Sequence, residues 1–110
     1  MPYDEDLADR VRELLGPEPG LTEKRMFGGL GFMINGNMAI AASGQGGLLV
    51  RVPPDDTDSL RDAEHVEPMV MRGREMRGWL RVATDGVRTK RELEEWVDRG
   101  AAYAKSLDPK

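Results

Sequence analysis

The 110-residue chain contains no cysteine. That excludes disulfides, thiolate nucleophiles and Cys-ligated zinc, and it fits a reducing compartment. It contains one histidine, His65. Metal sites draw on several clustered ligands, so a lone His beside Glu64 and Glu67 reads as a surface residue. Aromatic residues are 5% of the chain, so aliphatic side chains and seven Met must fill the interior. Met is adaptable and specifies shape weakly, which suits a malleable core or contact surface. No apolar run approaches the length of a membrane helix, and the N-terminus is acidic, unlike a signal peptide. A cytoplasmic protein without membrane association is expected. No repeat or linker interrupts the sequence, and residues 1–110 read as a single domain with one core.

Charge is unevenly placed. The first 71 residues hold 6 Lys/Arg against 13 Asp/Glu, and residues 72–91 hold 7 against 2. The basic segment comprises Arg72, Arg74, Arg77, Arg81, Arg88, Lys90 and Arg91. It is a candidate surface for nucleic acid or an acidic partner. The alternative is a set of solvated arginines that pair with the acidic first half. An acidic body is a poor setting for phosphate binding, which draws on a broad positive surface. Trp79, beside these arginines, is expected to pack in the core.

Local patterns give an element order. Residues 4–15 carry Leu7, Val11, Leu14 and Leu15 at helical spacing, with Asp4 as N-cap and Gly16-Pro17 as the stop. A first strand is expected over 21–27. Strands over 30–34 and 37–42 flank Asn35-Gly36, whose residue types tolerate the positive φ of a type I′ turn. That turn sets Ile34 opposite Asn37, Met33 opposite Met38 and Phe32 opposite Ala39. One face then carries Leu30, Phe32, Ile34, Ala39 and Ala41, and the other Met33, Met38 and Ile40. Both faces are apolar, where a half-solvated hairpin should alternate with polar residues. Either helices cover both faces, or one face meets a partner or a second copy of the chain. Met33, Met38, Ile40, Met69 and Met71 are the candidates for such a surface.

Residues 48–52 read as a fourth strand, and Pro53-Pro54 begins a short helix with an acidic first turn. Residues 66–71 and 76–83 read as two more strands around an Arg72-Gly73-Arg74 turn. Thr89-Lys90-Arg91-Glu92 has the form of a capping box and opens a final helix to about Ser106. Gly100 inside that helix is unfavourable by propensity and points to close packing on the sheet. The whole is an α+β fold, in the order α-β-β-β-β-α-β-β-α. Its antiparallel sheet has about six strands, with an N-terminal helix, a short middle helix and a long C-terminal one.

No catalytic constellation is recognisable. The glycines around Phe27 lack the helix start and Lys-Ser/Thr pair of a phosphate loop, and read as a bulge or strand connector. Asp55, Asp56, Asp58 and Asp62 do not match calcium-loop spacing and read as acids complementing a helix dipole. Ser43 has no identifiable base nearby. No catalytic residue, cofactor or metal is expected. A small-molecule binder or an enzyme would require a polar-lined pocket, sought near Arg25, Arg51 or Arg81.

One block is specific to a family. Arg25, Met26, Phe27, Gly28, Gly29, Gly31 and Phe32, followed by the Asn35-Gly36 turn, resemble the N-terminal domain of the TfoX/Sxy competence regulators. The segments Gly78-Trp79-Leu80-Arg81-Val82 and Leu93-Glu94-Glu95-Trp96-Val97 resemble its later strand and final helix, so the likeness covers nearly the whole chain. Glu75 departs from the family pattern, in which Pro often precedes the following Met. The resemblance implies an antiparallel sheet with flanking helices. It also implies a role in transcriptional control of DNA uptake, exerted alongside another regulator. It brings no catalytic residues. The expectation is a non-enzymatic regulatory or protein-interaction module with a protein partner or a homodimer. Direct nucleic-acid binding through residues 72–91 is the alternative, and a small-molecule binder or enzyme the third.

Overall fold

A computed structural model describes residues 4–16, 18–26, 28–44, 46–60 and 62–109, apart from the side chains of Met26 and Met71. Phe27 therefore lies outside the described residues. The elements are α1 (Glu5–Leu15), β1 (Leu21–Met26), β2 (Gly29–Ile34), β3 (Asn37–Ala42), β4 (Leu48–Arg51), α2 (Thr57–Leu60), β5 (Val66–Met71), β6 (Arg74–Val82) and α3 (Lys90–Ser106). Short 3-10 turns, Pro54–Asp56 and Thr84–Val87, precede α2 and α3. The expected α+β order holds.

The local signals act as their chemistry dictates. The Asp4 carboxylate accepts from Leu7 N at 3.1 Å and caps α1. At α3 the Thr89 hydroxyl accepts from Glu92 N at 3.1 Å, and Thr89 N donates to Glu92 Oε1 at 3.2 Å. Asn35 (φ 54°) and Gly36 (φ 85°) form the β2–β3 turn, and Arg72 (φ 54°) and Gly73 (φ 77°) the β5–β6 turn. Positive φ at both central residues matches the right-handed twist of the flanking strands.

The six strands form one antiparallel sheet in the order β1-β2-β3-β4-β6-β5. Strands β4 and β5 both run antiparallel to β6, so the segment between them crosses over β6 and carries α2 with it. Phe32, Ile34, Ile40, Leu48, Val50, Leu80 and Val82 pack in one buried cluster with Leu7 and Val11 of α1 and Leu93 and Val97 of α3. Leu60 of α2 joins the same cluster. The three helices therefore share one face of the sheet. This settles the question posed by the doubly apolar hairpin: helices cover one side, not both.

The hairpin register departs from the sequence expectation beyond its second pair. Ile34 opposes Asn37 and Met33 opposes Met38, but Phe32 opposes Ile40 and Leu30 opposes Ala42. One extra residue, Ala39, is accommodated as a β-bulge. Ile40 and Ala42 thereby join Phe32 on the covered face, and Ala41 takes the other face, opposite Gly31. The bulge lies where α3 crosses the sheet. A Cβ built on Gly100 of α3 would stand 2.5 Å from the Ala39 carbonyl oxygen, so helix and bulge meet backbone to backbone. The turn residues alone carry no trace of that contact.

Candidate functional site

Side chains alternate along a strand, and residues opposite each other in the register share a face. The uncovered face is therefore legible row by row. One row runs Lys24, Gly31, Ala41, Leu49, Arg81, Glu67. In the next, Met33 opposes Met38 and, farther across the sheet, Arg51 opposes Trp79. Met33, Met38, Leu49, Arg51, Trp79 and Arg81 are all half-buried, whereas Phe32, Ile40, Val50 and Leu80 on the other side are fully buried. The strands shield these residues along their flanks, Tyr103 of α3 reaches Arg51 at one end, and Met33, Met38 and Leu49 lie outside the buried cluster under the helices.

The cationic end of this face is ordered by aromatic rings. The Arg51 guanidinium lies 5.5 Å from the Trp79 ring centroid and 5.6 Å from that of Tyr103 on α3. Such contacts fix a guanidinium while leaving its N–H groups available to a carboxylate. Arg81 stands opposite Leu49 on one side and Glu67 on the other. A cavity of about 530 Å³ opens beside this pair, with His65, Glu67, Arg81 and Thr84 among its lining. Val66, Val82 and Ala83 line it as well, so polar and apolar groups are mixed in its wall.

The structure sorts the candidates drawn from the sequence. Met33 and Met38 are brought side by side on the uncovered face. Ile40 is not; the bulge sends it into the core, where it is fully buried. Met69 is half-buried on β5, three interstrand spacings from Met38, or about 14 Å. The Met71 side chain lies outside the described residues. The methionines therefore form a pair rather than one patch. Trp79, expected in the core, is instead half-buried under Arg51. Leu49, Arg51 and Tyr103 were not singled out from the sequence for this face. For Leu49 and Arg51 only the strand period was available, because the run Leu48-Leu49-Val50-Arg51-Val52 is apolar on both sides apart from Arg51; the alternation between buried and half-buried appears in the structure.

The basic segment is pulled apart. Arg74 and Arg77 lie on the outer part of β6, Arg81 lies near its other end, and Arg88 follows the strand. Seven residues of strand separate Arg74 from Arg81 by about 23 Å. Several members are already engaged. Arg88 pairs with Asp85 at 3.1 Å, Arg91 with Glu95 at 4.0 Å, and Arg77 donates to the Pro54 carbonyl at 3.1 Å. Lys90 and Arg91 start α3.

Two other features are structural in geometry. Arg12 of α1 holds Glu23 of β1 through bonds of 2.7 and 2.9 Å, and this hydrogen bonding keeps the Glu23 carboxyl below its ordinary range. In the Arg25–Phe32 block, a Cβ on Gly29 would run into the Ala42 carbonyl, so that glycine serves strand contact. Among the described residues no group of three or more His, Asp or Glu is arranged to hold a metal ion. Among the same described residues no helix is long and apolar enough to cross a membrane.

The family model of the TfoX N-terminal domain matches residues 13–104. No curated protein and no solved structure gives a significant match.

Proposed function

We propose that this chain, which belongs to the TfoX N-terminal domain family, serves gene regulation as a non-enzymatic module that holds a protein partner on the uncovered face of its sheet. The observation that carries the reading is the contrast between the fully buried helix side and the half-buried Met33, Met38, Leu49 and Trp79. A contiguous, partly apolar sheet face rimmed by charge is the usual form of a protein-contact surface. Charge decides the kind of partner. Lys24 stands at one end of the face and Arg51 and Arg81 toward the other, three cations against Glu67 beside Arg81, so the occupant is an apolar segment flanked by carboxylates. Methionines adapt to such a segment without demanding one shape. The competence-regulator family supplies the setting, which is control of transcription together with a second regulator.

The test is genetic and biochemical together. Cells lacking the gene are complemented with the wild-type chain or with Met33→Glu/Met38→Glu, and transcripts are profiled. Deletion is expected to shift a defined set of transcripts, and the double variant, folded by circular dichroism, is expected not to restore them. Unchanged transcripts on deletion, or full restoration by the variant, overturn the reading.

A further inference from the structure

The outer half of the β5–β6 hairpin projects beyond its sheet. Strand β4 ends at Arg51, opposite Trp79, while β6 continues outward from there to Arg74. The overhang of five residues is about 16 Å long. Residues 74–77 are all exposed. Val70, opposite Glu75, is 58% exposed, and Met76 is 37% exposed. They are the exposed large apolar side chains among the described residues. The arm has a basic tip, with Arg72 and Arg74 against Glu75, while Arg77 at its base lies 4.0 Å from Asp55.

An acidic segment lies at the root of the arm. Residues 55–64 carry Asp55, Asp56, Asp58, Asp62 and Glu64 against Arg61. This segment is fastened to the arm's base. Arg77 donates to the Pro54 carbonyl at 3.1 Å, and Gly78 N donates to the Thr57 hydroxyl at 2.8 Å. Asp55, Asp56 and Asp58 remain exposed.

Val70 and Glu75 share one face of the arm and Arg74 stands on the other, so along its length the arm is basic at the tip, apolar at Val70 and acidic at the root, an order that is complementary to itself under a two-fold rotation. We infer that two copies of this chain associate through their β5–β6 arms. Val70 meets Val70 of the other copy at the axis, and Arg72 and Arg74 reach the other copy's acidic segment around Asp55, Asp56 and Asp58. An arm lying antiparallel to its counterpart brings each tip to the other's root. Nucleic acid is the less fitting occupant. The chain as a whole is acidic, with a net charge of -4, and the arm's three arginines sit beside five acids. The inference uses a surface separate from the uncovered sheet face and stands independently of the partner proposed there.

Analytical ultracentrifugation of the full chain tests it. The wild type is expected to show a monomer–dimer equilibrium that weakens as salt rises from about 0.05 to about 0.5 M. Val70→Glu, at an exposed site, is expected to leave folding intact and weaken the dimer about tenfold or more. Arg72→Glu/Arg74→Glu is expected to weaken it similarly, and Asp55→Arg/Asp56→Arg in the same chain to restore it. That restoration is the decisive readout, because a charge reversal acting only through net charge would not be rescued in this site-specific way. A wild-type chain that stays monomeric at every concentration reached overturns the inference. So does a dimer indifferent to Val70→Glu. A monomer that shifts double-stranded DNA, with the shift lost in Arg72→Glu/Arg74→Glu, would assign the arm to nucleic acid instead.

Discussion

Phe32 and Met33 are neighbours in the chain, yet they stand in opposite surroundings. Phe32 points beneath the helices and is fully buried, and Met33 points to the other side of the same strand and is half-exposed. The contrast repeats along β4 and β6, where Val50 and Leu80 are buried but Arg51, Trp79 and Arg81 are not. One face is closed by three helices and sets the stability of the domain. The other is partly apolar without being closed. Removing a side chain from each face should therefore have unequal costs, and unequal kinds of cost.

The largest effect is expected under the helices. Phe32→Ala removes a fully buried ring and should destabilise the domain by about 3–5 kcal/mol, read from urea unfolding. A loss below about 1 kcal/mol would mean that the covered face is not the core of stability. Next comes the seat of α3. Gly100→Ala gains helix propensity but drives a Cβ to 2.5 Å from the Ala39 carbonyl, so a net loss of about 1–3 kcal/mol is expected. An increase in melting temperature would show that the helix can lift away without cost.

The uncovered face should respond weakly in stability and strongly in function. Met38→Gln is expected to change unfolding free energy by less than about 1 kcal/mol. The same variant should weaken binding to whatever partner is recovered with the wild type. A stability loss matching that of Phe32→Ala would erase the distinction between the faces.

The smallest effect concerns the edge where α1 meets β1. Glu23 is held below the ordinary carboxylate value of about 4.5 by the hydrogen bond and charge of Arg12. A depressed value in the folded state means stability that is fully present above about pH 4.5 and disappears as pH falls through the lowered value. The stability difference between wild type and Glu23→Gln should therefore be constant at neutral pH and shrink in acid. The pair is partly exposed, so the difference itself is small. A gap that widens on acidification would contradict the assignment.

What was legible in the chain follows the range of the interactions. Asn35-Gly36 and the Thr89–Glu92 box act over a few residues, and both form as their residue types require. The Ala39 bulge sits against a helix about sixty residues away, and no residue of the hairpin itself signals it, so the register beyond Met33 and Met38 is not legible in the sequence and Ile40 falls on the other face from the one expected. The sidedness of the helices is equally non-local, because an amphipathic stripe does not say which side of a sheet it will cover. The arginines of residues 72–91 are dense in sequence, but a strand spreads them over tens of ångströms. Closeness along an extended segment is not closeness in space. Arg51 and Tyr103 illustrate the reverse, meeting across 52 positions of sequence.

The meeting of Gly100 with the Ala39 carbonyl also constrains how related chains can vary. The extra residue at 39 and the missing side chain at 100 are two halves of one fit. A relative that loses the bulge by a one-residue deletion must re-register β3, and it no longer needs a bare backbone at the helix crossing. A relative that keeps the bulge cannot readily accept a side chain there. Presence of the bulge and absence of a Cβ should therefore be inherited together, as a linked pair of characters separated by most of the domain.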